Sequence, residues 1–201
     1  MSKLIKCLLI FTAISASSTA LAAQQLSDHI ISKEGKYYLL PGYSTEDVAI
    51  FFWQSLNRWS EKPDNVAKYF TPAGEFELVY APVDDFPIFS RGSRGREAMT
   101  AYFTKISAYL EDLRYSKPQT WTQLATDKPG VYVFEYSSSG FIRSATSEDK
   151  KSKNHKKPYH QNFISIVTVS PDGQLKNVKE YWDPYVALRD FHMIDKAQPQ
   201  S

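Results

Sequence analysis

Three stretches of this sequence fit long β-strands better than anything else, and a turn between two of them fixes how they pair. Val131 to Ile142, Tyr159 to Val169 and Leu175 to Trp182 are rich in β-branched and aromatic residues and free of internal proline. Pro171-Asp172-Gly173 joins the last two as a hairpin, because proline presets one turn dihedral and glycine supplies a positive one. Tyr115 to Leu124 reads as a further strand before them. A meander of this length must bury one face, and the helical patterns all lie upstream of it. Helices first and strands afterwards define an α+β domain, with helices packed on one face of a curved antiparallel sheet.

The helices are legible from caps and period. Ser44-Thr45 places a hydroxyl cap before Glu46 and Asp47, and Val48, Phe51, Phe52, Leu56 and Trp59 follow at helical spacing. A shorter helix is expected from Pro63 to Tyr69, with Val66, Tyr69 and Phe70 inward, broken by Thr71-Pro72-Ala73-Gly74. Glu75 to Tyr80 alternates as a half-buried strand with Phe76, Leu78 and Tyr80 on one side. A third helix is expected from Gly95 to Asp112, with Met99, Tyr102, Phe103, Ile106, Tyr109 and Leu110 buried. No internal repeat or second domain is evident. The division is a segment 1–22, a leader 23–42, one domain over 43–195 and a tail 196–201.

The segment 1–22 has the order of a secretory signal peptide. Lys3 and Lys6 precede the apolar run Cys7 to Ile14, and Ala20-Leu21-Ala22 ends it with the small residues that signal peptidase cuts after. The run is shorter than the roughly 20 apolar residues that span a bilayer, and no later stretch is as apolar over such a length. A secreted or periplasmic protein without a membrane span is therefore expected. Cleavage would remove the single cysteine, Cys7. Removing Lys3 and Lys6 from the 24 basic residues leaves 22, equal to the 22 acidic ones. A mature domain near neutrality has no general attraction to nucleic acid. The lysines 150, 151, 153, 156 and 157 crowd one stretch without interleaved aromatics, which reads as a solvated hairpin loop.

The most informative chemistry lies in Val178-Lys179-Glu180-Tyr181-Trp182-Asp183-Pro184. Period-two alternation puts Val178, Glu180 and Trp182 on one face. If that face is inward, Glu180 is a carboxyl between apolar neighbours, and desolvation raises its pKa toward general acid/base work near neutrality. If a dimer partner covers the other face instead, Glu180 lies in solvent. His160 and Asn162 share a strand face with Ile164 and Ile166 and are candidates for the pocket, although a lone histidine there is more often structural. Asp84 and Asp85 sit in a proline-flanked loop, and Arg91, Arg94 and Arg96 cluster with Gly92 and Gly95 at a helix start, where solvated arginines are the plainer reading over an anion site. The four histidines have no metal-ligand spacing, and no phosphate loop, dinucleotide fingerprint or Gly-x-Ser-x-Gly elbow is present.

The order helix, helix, strand, glycine-led helix, long strands and terminal Glu-Tyr-Trp-Asp-Pro resembles the SnoaL-like proteins, in the superfamily of ketosteroid isomerase and nuclear transport factor 2. The similarity is closest to the phenazine-biosynthesis A/B type. It is carried by Tyr69-Phe70-Thr71-Pro72-Ala73-Gly74, Pro87-Ile88, Gly95, Leu110-Glu111-Asp112-Leu113-Arg114-Tyr115, Tyr159-His160-Gln161-Asn162-Phe163, Lys179-Glu180-Tyr181-Trp182-Asp183-Pro184 and Leu188, over roughly residues 44–193. The resemblance implies a cone-shaped sheet wrapped around helices, an apolar pocket open at one end, a homodimer through the outer sheet face, and acid/base chemistry on small ring-like molecules without a cofactor or metal. It aligns Glu180 with the family's acting acid. It aligns Tyr102 with a histidine, so tyrosine would serve as a hydrogen-bond donor in place of a titrating group. Trp182, Phe103 and Phe163 become pocket walls. Three functions remain open: an exported isomerase, cyclase or dehydratase, a non-catalytic binder of an apolar ligand, and a dimerising interaction module.

Overall fold

The computed structural model describes residues 27–82, 84, 89–143 and 157–191. The expected signal segment 1–22, Asp85, Pro87-Ile88, most of the lysine-rich stretch and the tail 196–201 lie outside the described residues. The architecture is the expected α+β: a large curved sheet with the helices on its concave side.

Helix α1, Thr45–Leu56, begins where the cap pattern places it. The Asp47 backbone N–H donates to Ser44 Oγ at 3.1 Å, and the Ser44 N–H donates back to the Asp47 carboxylate at 2.7 Å, a reciprocal cap that fixes the helix start. Its stripe of Val48, Phe51, Phe52 and Leu56 is fully buried. A 3-10 turn spans Pro63–Tyr69, and helix α2 spans Arg96–Ser107.

The strands are β1 Ile30–Lys33, β2 Lys36–Leu39, β3 Phe70–Leu78, β4 Gly92–Arg94, β5 Leu110–Tyr115, β6 Thr122–Ala125, β7 Val131–Ile142, β8 Lys157–Val169 and β9 Leu175–Trp182. The main sheet runs β4-β3-β9-β8-β7-β5, with β6 also paired to β7. The neighbours are antiparallel except for β3 and β9, which are parallel. A last helix, α3, covers Pro184–Asp190. Asp183 caps it by accepting from the Tyr185 N–H at 2.9 Å, and Pro184 sits at the first position, which needs no donor.

Four expectations change. The third helix stops at Ser107 rather than Asp112, and Leu110–Tyr115 becomes an edge strand. Leu110 and Leu113 satisfy a helical stripe and a bulged strand equally well, and no glycine or proline marks the stop. Asp112 takes a left-handed φ of 51° where the β5–β7 register slips between Glu111 and Arg114. The single strand Tyr115 to Leu124 is instead the end of β5, a 3-10 turn at Pro118–Thr120 and β6. Thr71-Pro72-Ala73-Gly74 does not break the chain. It is an irregular stretch of β3, which starts at Phe70, while Tyr80 lies beyond the strand's end and is 60 % exposed.

The fourth change concerns the leader. Residues 30–39 form a hairpin of β1 and β2. Glu34 and Gly35 turn it with φ of 52° and 71°, both positive as such two-residue turns require. The Leu39 N–H donates to the Gly173 carbonyl at 2.8 Å, which ties the hairpin to the β8–β9 turn. A Cβ at Gly173 would fall 2.1 Å from the Leu39 carbonyl oxygen, so only glycine allows this approach.

Candidate functional site

The register of the sheet puts Glu180 at the centre of its concave face. Glu180 pairs with Ser165 of β8 and Leu78 of β3, and the neighbouring inward positions of β9 are Val178 and Trp182. Above this face, α2 contributes Tyr102, Phe103 and Ile106, and β5 contributes Leu110, Leu113 and Tyr115. Between them lies a cavity of about 70 Å³, lined also by Phe89, Ala187 and Phe191. Gln161 Nε2 donates to the Asp183 carbonyl at 2.6 Å, and Lys157 meets the Asp190 carboxylate at 3.2 Å, so α3 is fastened to β8 beside the cavity.

Glu180 is 5 % exposed. Burial among apolar walls pushes its carboxyl up to about 7, and a hydrogen bond from Tyr136 partly opposes the shift. The Tyr136 hydroxyl donates to Glu180 Oε1 at 2.6 Å. It has one proton, so the 2.8 Å contact with Ser165 must run from the Ser165 hydroxyl to the Tyr136 oxygen. Ser165, Tyr136 and Glu180 form a directed chain that fixes one carboxyl oxygen.

Four phenols feel the charge of Glu180. Burial first, and that carboxylate second, raise Tyr102, Tyr115, Tyr136 and Tyr159 above the ordinary tyrosine range. All four stay neutral near pH 7 and act as hydrogen-bond groups. The Trp59 Nε1–H donates to the Tyr115 hydroxyl oxygen at 2.7 Å.

Of the residues singled out from sequence, Glu180, Tyr102, Trp182, Phe103 and Phe163 all line this cavity. Phe103 packs edge-on against Trp59 and Phe76, at centroid separations of 5.3 and 5.2 Å. Trp182 meets Phe89 at 5.5 Å. His160 and Asn162 do not join them. Both are exposed on the convex face of β8, beside Ile164, which is 49 % exposed. The correction follows from parity: His160 and Asn162 lie three and one residues from Phe163, so a strand that turns Phe163 inward turns both outward. Ile164 and Ile166 suggested the opposite face, but the larger Tyr159 and Phe163 hold the interior.

The arginine cluster is structural. Arg96 donates to the Phe70 carbonyl at 2.8 and 2.5 Å and to Gln174 Oε1 at 3.1 Å, clamping α2 to β3 and the β8–β9 turn. Arg91 pairs with exposed Asp84 at 3.0 Å. Among the described residues no group of three His, Cys, Asp or Glu could hold a metal ion, and no helix is long and apolar enough to cross a membrane. Sequence reasoning passed over Tyr136, Ser138, Ser165, Tyr115 and Tyr159 as site residues. The alternation Phe134, Tyr136, Ser138 in β7 was the available signal, but it becomes informative only once the β7–β8–β9 register aligns it with Glu180.

No protein-family model matches the sequence, and no curated protein matches it. Solved structures do match in shape. A phenazine biosynthesis-related protein of Pseudomonas aeruginosa superposes with a TM-score of 0.56 over 78 % of this chain and 87 % of its own, at 13 % identity. A pinacolase of Penicillium brevicompactum does so with a TM-score of 0.53 over 72 % and 90 %, at 12 % identity. The chain therefore has the nuclear transport factor 2-like, SnoaL-like fold. Identities this low establish the fold alone.

Proposed function

We propose that this protein is an exported SnoaL-like domain that binds a small, largely apolar, ring-like molecule in its cone and moves a proton on it, with Glu180 as general acid/base and Tyr102 as hydrogen-bond donor. The carrying observation is the placement of Glu180, a lone carboxyl on the floor of an aromatic cavity, titrating near 7 with no basic partner among the described residues. A group with that pKa is populated in both protonation states at neutral pH, the condition for accepting and returning a proton. Tyr102, held neutral, donates to oxygen where negative charge develops. The pinacolase named above gives the same reading a precedent in kind on this fold. Isomerisation, cyclisation and dehydration all need these two roles.

Export follows cleavage after Ala22. Two copies pair through the convex sheet face, on which Leu124 and Ile164 are about half-exposed. The second reading is a binder without turnover. It is favoured by the cavity's having a single group titrating near neutrality among the described residues, since Tyr102, Tyr115, Tyr136 and Tyr159 are all driven away from neutrality.

Solvent exchange separates the two. Small cyclic ketones, cyclohexanone first, are incubated with the protein in D2O, and loss of the α-proton signal is followed by NMR across pH 5–9. The enzyme reading expects catalysed exchange whose rate climbs with pH and levels off above about 7 as Glu180 ionises. Glu180→Gln should abolish exchange with affinity retained. Binding without exchange in the wild type supports the binder, and exchange unaffected by Glu180→Gln removes Glu180 from the mechanism.

A further inference from the structure

Two residues of the cavity wall carry a buried polar atom without a hydrogen-bond partner among the described residues. Trp182 is 9 % exposed and Ser138 is 1 % exposed. Trp182 Nε1 and Ser138 Oγ are buried without a hydrogen-bond partner among the described residues, and both residues line the cavity. An indole N–H can only donate, whereas a hydroxyl donates and accepts. Leaving either unpaired is costly, and folded proteins tolerate few such groups.

Several neighbouring polar groups are already bonded. Ser165, Tyr136 and one oxygen of Glu180 bond to one another, and Tyr115 accepts from Trp59. Tyr102, Tyr109 and Tyr159 add phenol rings to the wall, and most of the rest, including Phe89, Phe103 and Leu113, is hydrocarbon. Trp182 and Ser138 lie on the two strands that flank β8. Trp182 is level with Phe163 and Tyr136, and Ser138 is the next inward residue of β7. Strands two apart are separated by roughly 10 Å between axes. That separation suits two substituents of one ring better than a single atom.

Resting on the reading of this cavity as a ligand site, we infer that its ligand is an oxygenated ring compound, with a carbonyl or ether oxygen accepting the Trp182 N–H and a second oxygen function meeting the Ser138 hydroxyl. A hydrocarbon of the same outline is discriminated against, because it leaves both buried groups unpaired, and such sites reject analogues lacking the polar atom far more strongly than apolar pockets reject a missing methylene. Water in the empty cavity does not alter the sign of this preference. A ligand that displaces bound water without replacing its hydrogen bonds loses affinity.

The test uses cyclohexanone and methylenecyclohexane, which share a shape and differ in C=O against C=CH2. Each is titrated into the full-length mature protein, and the indole N–H resonances are followed by 1H–15N NMR, with Trp182 assigned from the signal lost in Trp182→Phe. The ketone should bind at least about tenfold tighter and move the Trp182 resonance downfield, while the alkene leaves it in place. 4-Hydroxycyclohexanone should bind about tenfold tighter again. That gain should vanish in Ser138→Ala. Equal binding of ketone and alkene with an unmoved Trp182 resonance overturns the inference and leaves the cavity reading standing. Failure of both rings to bind overturns the cavity reading as well. The wild-type titrations decide the matter even if Trp182→Phe does not fold.

Discussion

Two tryptophans show how differently the same sheet is used at its two ends. Trp121, beside β6, stacks on Tyr136 with centroids 4.5 Å apart, and its Nε1–H donates to the Ser116 carbonyl at 2.9 Å and to Ser116 Oγ at 3.0 Å. Trp182, on β9, packs against Phe89, and its Nε1–H has no partner among the described residues. At the first end Phe52 of α1 fills the space, with Trp121, Phe134 and Tyr136 around it at centroid distances of 6.1, 6.2 and 5.8 Å. At the second, a cavity remains between α2 and the sheet. Aromatic content is similar at both ends, so composition does not distinguish core from pocket. What differs is whether a facing helix fills the concavity and whether the polar atoms are satisfied. Tyr136 belongs to both ends: its ring is packed into the first, and its hydroxyl reaches Glu180 in the second.

The comparison makes the packed end the place where truncation should hurt most. Phe52→Ala removes a fully buried ring from the centre of the aromatic cluster, and such deletions cost about 3–5 kcal/mol. Urea unfolding should show a loss in this range. A loss below about 1.5 kcal/mol would mean that this end is as loosely filled as the other. The hollow end should respond to Glu180→Gln in the opposite direction. Glu180 has a folded-state pKa of about 7 against an ordinary 4.5. Between those values the folded protein holds a proton that the unfolded chain has lost, so stability from this group is full below about pH 4.5, falls as pH rises and levels off above about 7. The difference corresponds to roughly 3 kcal/mol. Glutamine copies the protonated acid and escapes the loss. Glu180→Gln should therefore be more stable than wild type by up to about this amount at pH 8, with the gap closing below pH 5. A gap independent of pH would place the titration elsewhere.

The two ends were also unequally legible. The packed end was readable because helix α1 states its cap, its stripe and its period in one stretch, Ser44 to Trp59, and local signals suffice for a local element. The long strands and the Pro171-Asp172-Gly173 turn were readable for the same reason. Glu180 was placed on an inward face by its neighbours Val178 and Trp182. Its partners were not readable: Tyr136 and Ser165 lie 44 and 15 positions away, and only the register of three strands brings them together. Likewise Leu110 to Tyr115 satisfied two periods at once, and only pairing with β7 across a bulge at Asp112 settled it as a strand. The β1–β2 hairpin escaped because Glu34-Gly35 is a weaker turn signal than Asn-Gly or Asp-Gly.

Strand β8 holds the sharpest instance, since both of its faces are partly apolar. Alternation says that Tyr159, Gln161 and Phe163 share one side and His160, Asn162 and Ile164 the other, but it does not say which side is inside. The smallest expected effect tests that choice. The His160 side chain is exposed, and its Cα pairs with Ser139 on the neighbouring strand. His160→Ala should change stability by no more than about 0.5 kcal/mol and leave the affinity for cyclohexanone unaltered by titration. A clear loss of affinity would bring His160 to the ligand, and the pleat would then carry Tyr159 and Phe163 to the convex face. The cavity would lose two of its walls, and the placement of Glu180 opposite Ser165, one inward step further along β8, would fall with them.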